Sequence, residues 1–209
     1  LHAYKVRVAR QLTAHLTPAP ELMVTEWSSG FVPESTEDKA WDPVRAAAVA
    51  RAVLEMRRAG LDGSFYYHLW DQVAREEDFA PLFSPKGVAN MLRHWNEVPH
   101  RFGLFGVDGR PRPQYFAFRL LADLGDEELP ARSDHGDVAV LAGRGGDGRV
   151  GVLLVNHSVE GARDGVAVLR FTGLAPGPRT VVVHRVDGER RWDEATLELN
   201  PVEARPTRV

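Results

Sequence analysis

The residues of this chain with chemistry to offer gather in two short stretches. Glu21-Leu-Met-Val-Thr-Glu-Trp-Ser-Ser29 is an apolar run that stops abruptly in a carboxylate, Glu26, an indole, Trp27, and two hydroxyls. Gly63-Ser-Phe-Tyr-Tyr-His-Leu-Trp-Asp71 is aromatic throughout and ends in polar groups. Aromatic side chains stack on the apolar faces of sugar rings, while carboxylates and hydroxyls take up the ring hydroxyls. Glu26 framed by Trp27 and by Tyr66, Tyr67 and Trp70 therefore points to carbohydrate. Strand alternation puts His68 and Trp70 on one face and Tyr67 and Leu69 on the other. We expect the His68 and Trp70 face to line the sugar pocket, with Asp71 at its rim accepting from a hydroxyl.

The elements that must carry these residues follow from period and punctuation. Residues 1–16 place Leu1, Tyr4, Val8, Leu12 and Leu16 at helical spacing, and Thr17-Pro-Ala-Pro20 ends that helix because proline removes a donor and extends the residue before it. Residues 21–26 form a continuous apolar run without helical period, the mark of a buried parallel strand. Asp42 and Pro43 supply an N-cap and a first-turn proline for a helix over 44–59, stopped at Gly60. A second strand covers 63–71. Strands alternating with helices of this length mean βα units, and in parallel folds chemistry sits at the carboxyl ends of strands, where Glu26 stands.

A long connection with one helical patch, 87–95, leads to an amphipathic helix over 113–124. Beyond Gly125 the composition changes to short β-rich runs (138–141, 150–155, 166–171, 180–186) separated by Gly, Pro and Asp turns, which predicts an antiparallel sandwich. The Pro-rich tail from Asn200 is expected to lie along the surface.

Composition narrows the function classes. The 209 residues, 44% hydrophobic and 9% aromatic, make an ordinary globular sequence, and a net charge of −3 gives no electrostatic case for nucleic acid or an anionic membrane. No apolar run reaches membrane-spanning length. With no cysteine there is no thiolate chemistry, the eight histidines show no metal-ligand spacing, and we expect neither metal nor cofactor. Gly143-Arg-Gly-Gly-Asp-Gly148 spells a dinucleotide fingerprint, but a strand follows it where that motif requires a helix, so it reads as a hairpin turn. Locally basic Arg110-Pro-Arg-Pro-Gln-Tyr115 and residues 185–191 read as solvated turns.

These residues carry a family resemblance. Glu21-Leu-Met-Val-Thr-Glu-Trp-Ser-Ser29 resembles the seventh-strand nucleophile segment of clan A retaining glycoside hydrolases, especially the β-xylosidase and α-L-iduronidase group, glycoside hydrolase family 39. Residues 65–71, followed by Glu76 and Glu77, resemble that group's eighth strand. Phe102-Gly-Leu-Phe-Gly-Val-Asp-Gly-Arg-Pro-Arg-Pro-Gln-Tyr-Phe-Ala-Phe-Arg-Leu-Leu121 resembles its closing helix, and the β-rich tail is similar to its C-terminal sandwich.

The resemblance implies an α/β plus all-β chain. Residues 1–125 would be the C-terminal part of a (β/α)8 TIM barrel and 126–209 an antiparallel β-sandwich. It implies Glu26 as nucleophile, with the acid/base residue and the N-terminal part of the barrel upstream of this fragment. Trp27, His68, Trp70 and Asp71 would bind the carbohydrate substrate, and an oligomer is compatible with this reading.

Trp95-Asn96-Glu97 matches the string that carries the acid/base in this clan. It stands after the nucleophile, however, and in a helical pattern, so Trp95 is expected to pack under the long loop and Glu97 to be solvated. The alternative is a non-catalytic carbohydrate-binding module, or a truncated and inactive one.

Overall fold

The structure is a computed structural model and describes residues 2–28, 41–97, 101–161, 164–189 and 191–208. The first helix, α1 (His2–Thr13), meets the rest of the molecule through Val6 and Arg10, one turn apart on the same face. Val6 is buried, while Tyr4, Leu12 and Leu16 of the expected apolar face are exposed. Arg10 decides the orientation: its guanidinium donates to Gly60 O at 2.8 and 2.7 Å and to Pro20 O at 2.8 Å, and pairs with Asp62. Asp62 in turn accepts the Leu22 N–H at 2.7 Å, which brings the starts of two strands together.

Those strands are β1 (Met23–Trp27) and β2 (Gly63–Tyr66), joined by α2 (Pro43–Arg58). They pair in parallel, Met23 with Gly63 and Val24 with Ser64. α2 begins as its sequence requires, Asp42 Oδ1 accepting the Val44 N–H at 2.9 Å and Pro43 filling the first turn. The expected burial of β1 is not seen: Met23 and Thr25 are exposed, because among the described residues β1 has a sheet neighbour on one side only. The described residues form no closed barrel.

After β2 come α3 (Glu76–Phe79), α4 (Pro85–Leu92), a π-helical turn (Arg93–Glu97) and α5 (Pro113–Ala122). The remainder is β-rich: β3 (Glu127–Leu129), β4 (Val138–Arg144) and β5 (Val150–Asn156) form an antiparallel sheet in that order. The Gly-rich string is the β4–β5 hairpin, with Gly148 N–H donating to Gly145 O at 2.9 Å.

Downstream, β6 (Pro178–Val183) pairs antiparallel with β9 (Glu203–Arg208), and β7 (Trp192–Asp193) with β8 (Glu198–Leu199). Two expectations are corrected here. The C-terminal tail forms a strand, since β6 offers it an edge. Residues 166–171 form none: Val166 and Val168 are almost fully exposed, because an alternating pattern supplies a strand's faces but not its partner.

The helical and β-rich parts share a core. Ala46, Ala50 and Leu54 of α2 pack with Ala117 of α5, Leu124, Ala139 of β4 and Leu153 and Val155 of β5. Small side chains let the two helices approach closely. Beyond α5 the chain meets the hairpin so tightly that a Cβ on Gly125 would stand 2.5 Å from Arg144 backbone atoms, and Gly125 also sits at φ +88°. Phe116, fully buried, stacks on Trp192 with centroids 4.6 Å apart, and Arg110 pairs with Glu194 at 2.9 Å.

The shared core sets an expected outcome. Phe116→Ala should cost about 3–5 kcal/mol, and tryptophan fluorescence and far-ultraviolet dichroism should report coincident denaturant transitions in both proteins. A two-step transition in which the substitution moves only one step would contradict a common core.

Candidate active site

Parallel pairing sets the carboxyl ends of β1 and β2 side by side. Trp27 lies opposite Tyr66, and the Tyr67 N–H donates to Trp27 O at 2.7 Å. The register slips by one residue between Val24 and Trp27, so that both pack into the same core while Thr25 and Glu26 between them are exposed. Trp27 turns towards the helices and is 2% exposed, packed among Val6, Val49 and Met56 with its ring edge-on to Tyr66 at 5.3 Å. Glu26, next to it in the strand, is exposed.

The same sense holds on β2. Tyr66 packs against Phe118, its hydroxyl donating to Phe102 O at 3.0 Å, whereas Tyr67 is half-buried. The Tyr67 hydroxyl is held above its ordinary pKa, first by burial and then by the negative charge of Glu26. Both effects favour the neutral phenol. Sequence reasoning counted Tyr67 among the framing aromatics without giving it a place in the site. The signal that could have found it is its position directly after the residue paired with Trp27.

Beyond β2 the alternation rule no longer applies. The strand stops at Tyr66, and the Tyr67 and His68 rings stack at 4.4 Å instead of facing apart. Residues 68–71 run along 104–105: Leu104 N–H donates to His68 O at 3.0 Å, Phe105 N–H to Leu69 O at 2.9 Å, and Asp71 N–H to Phe105 O at 3.0 Å. Trp70 consequently does not end β2. It bridges to Phe105 and stacks on that ring at 5.3 Å and 17°, leaving about half its surface open.

Asp71 is interior. Its Oδ1 accepts from Gly103 N–H at 2.8 Å and lies 3.1 Å from His68 Nε2, while Oδ2 meets the Arg112 guanidinium at 2.5 Å. Neither the Asp71 nor the Arg112 side chain has exposed surface. Burial pushes the Asp71 carboxyl up, but the bonds from His68, Arg112 and Gly103 outweigh it and hold it below the ordinary carboxylate value. Gly103 is required at this point, since a Cβ there would lie 2.8 Å from Asp71 Oδ1 and 2.5 Å from Phe105 O. Arg112 also donates to Gly103 O at 3.4 Å. The reading of 110–115 as a solvated turn is corrected here: Arg112 and Gln114 are fully buried, because a basic residue looks solvated until its buried counter-charge, Asp71, is known.

The expected substrate-binding residues therefore divide. Trp70 keeps about half its surface exposed. His68 is buried, its Nε2 on Asp71. Asp71 is not at a rim, since its oxygens are committed inside, and Trp27 is a core residue whose indole presents no face to a sugar. Trp95-Asn96-Glu97 falls in the π-helical turn. There Asn96 Oδ1 accepts the Ala74 N–H at 2.9 Å and its Nδ2 donates to Ala74 O at 2.8 Å, so this asparagine pins the segment after Asp71. The Glu97 side chain lies outside the described residues. Among the described residues no group of three potential ligands could hold a metal, and no helix is long and apolar enough to cross a membrane.

The parallel pair, the closing helix and the antiparallel sheets together make a fold already seen in carbohydrate-active enzymes. The chain is similar over its whole length to the family 39 glycoside hydrolase of Xanthomonas axonopodis pv. citri, at 18% identity and a TM-score of 0.58. Over 99% of its length it is similar to a monomeric β-xylosidase of Caulobacter crescentus, at 21% identity and a TM-score of 0.57. It spans 44% and 45% of those two chains. No family model matches the sequence, and no curated protein matches it.

The Asp71 cluster predicts how stability depends on pH. A carboxyl with a depressed folded pKa contributes stability above its unfolded value, about 4, and loses that contribution as pH falls through the lower folded value. Asp71→Asn should cost about 3–5 kcal/mol at neutral pH by leaving Arg112 buried without its counter-charge. Urea melts at a series of pH values should show a flatter acid limb for Asp71→Asn than for the wild type. Equal stability of the two proteins near neutrality would contradict the assignment.

Proposed function

We propose that this chain is the C-terminal part of a retaining glycoside hydrolase of the β-xylosidase type. Residues 1–125 are the last part of its (β/α)8 barrel and 126–209 its sandwich domain. The observation that carries the reading is the placement of Glu26. It stands at the carboxyl end of a parallel strand, exposed beside buried Trp27, and its charge reaches the Tyr67 phenol. The fold shared with the two enzymes supports it.

In this mechanism a Glu26 oxygen attacks the anomeric carbon as the bond to the leaving oxygen breaks, giving a covalent glycosyl-enzyme. A second carboxyl group, about 5–5.5 Å away in retaining enzymes, protonates the leaving oxygen and then takes a proton from the water that releases the sugar. That acid/base residue lies upstream of residues 1–209. The exposed part of Trp70 meets the sugar, and His68, held by Asp71, stacks on Tyr67.

The test uses the protein that carries the preceding barrel strands. A 2-fluoro aryl glycoside should label Glu26, and Glu26→Gln should abolish both labelling and turnover. Residues 1–209 alone should hydrolyse no disaccharide, since general acid catalysis is worth about 10²–10⁴-fold. Labelling at another carboxylate, or undiminished turnover in Glu26→Gln, would remove Glu26 from the role of nucleophile. Sugar binding without labelling would favour a non-catalytic carbohydrate-binding module.

A further inference from the structure

Away from Glu26, a cleft of about 360 Å³ opens between α2 and the segment that leads into β4. Its lining includes Arg51 and Arg58 of α2, and Arg132, Ser133 and His135 of the segment. Arg51 and Arg58 are two turns apart, yet their guanidinium groups converge. Arg51 Nε lies 3.1 Å and Arg58 Nη1 3.4 Å from the same Glu55 oxygen. Each head is also anchored to the crossing segment, Arg51 by Gly136 O at 3.2 Å and Arg58 by Val140 O at 2.8 Å. A guanidinium carries five N–H donors, and these contacts use two of each.

The segment brings donors of its own. Asp137 N–H donates to His135 Nδ1 at 3.3 Å, so the neutral imidazole carries its proton on Nε2, the nitrogen left to donate. Ser133 Oγ accepts the His135 N–H at 3.1 Å and holds the turn. Glu55 offsets one of the two α2 arginines, and Arg132 restores a net charge of about two, matched to the −1.5 to −2 of a phosphate monoester near neutrality. Asp134 and Asp137 belong to the same segment but do not line the cleft. Its positive field is felt nearby: His157 is held below its ordinary pKa, first by burial and then by the charge of Arg51.

We propose that this cleft binds a compact tetrahedral oxyanion, of the class of phosphate and sulfate, through Arg51, Arg58, Arg132 and His135. Arginine suits such a ligand because its planar fork meets two oxygens at once, and heads already fixed by Glu55 and backbone carbonyls lose little freedom on binding. The site is independent of Glu26 and of the glycosidase reading.

The experiment is a calorimetric titration of the protein with inorganic phosphate, ionic strength held constant with sodium chloride. A hexose 6-phosphate in a second arm distinguishes the esterified group from the free ion. Saturable one-to-one binding is expected. Arg132→Gln should weaken it about tenfold or more, the loss of one charge-assisted contact. Arg149→Gln, exposed on the β4–β5 turn, should leave it unchanged. Arg132 is itself exposed, so the melting temperature without phosphate should not move. The His135 imidazole proton signals of the unsubstituted protein should shift and saturate over the same concentrations, a readout that needs no variant. No saturation at constant ionic strength, equal weakening by Arg149→Gln, or unmoved His135 signals would each overturn the proposal.

Discussion

Three donors converge on one buried carboxylate, and the architecture around the candidate site depends on that convergence. Asp71 takes the Gly103 amide, the Arg112 guanidinium and the His68 ring. Burying two opposite charges carries a desolvation penalty of several kcal/mol for each ion in practice, and only good geometry with further hydrogen bonds offsets it. Here the geometry also does structural work. Arg112 is the N-cap position of α5, so the pair fixes where that helix starts relative to the end of β2. The ladder between 68–71 and 104–105 follows from it, and with it the stack of Trp70 on Phe105.

From α5 the constraint passes into the core. Phe116 reaches Trp192, and Ala117 lets α2 approach, so the β-rich part is held by contacts that begin at the same helix. Packing at this seam leaves no room for a Cβ at Gly125 or Gly143, which stand against Arg144 and Leu124 backbone atoms. A site carried by β1 and β2 and a sheet carried by β4 and β5 are thus coupled through α2 and α5. Movement of one without the other would open close-packed surface.

A one-residue slip in the β1–β2 register sorts the chemistry at β1. Trp27 and Val24 contribute apolar burial to the helix layer, and Thr25 and Glu26 between them stay exposed. The charge of Glu26 reaches Tyr67 because parallel pairing brings the two strand ends together.

Local pattern alone determined a good part of this protein. Asp42, Pro43 and Gly60 bounded α2 because caps and breakers act within a turn of themselves. The parallel β1–β2 pair followed from alternating strand and helix, and Glu26 at a strand end followed from the run 21–26. The Gly-rich string was legible as a hairpin because a strand, not a helix, came after it. Only tertiary structure decided the rest. Asp71 looked like a rim carboxylate until Gly103 and Arg112, far along the chain, closed over it, and Trp27 looked like a sugar platform until α1 and α2 covered it. Residues 166–171 had strand period without a partner, whereas 203–208, read as a surface tail, found one in β6. Period and propensity are properties of a segment, but burial and pairing are properties of two segments that meet. Which segments meet is decided by the whole chain.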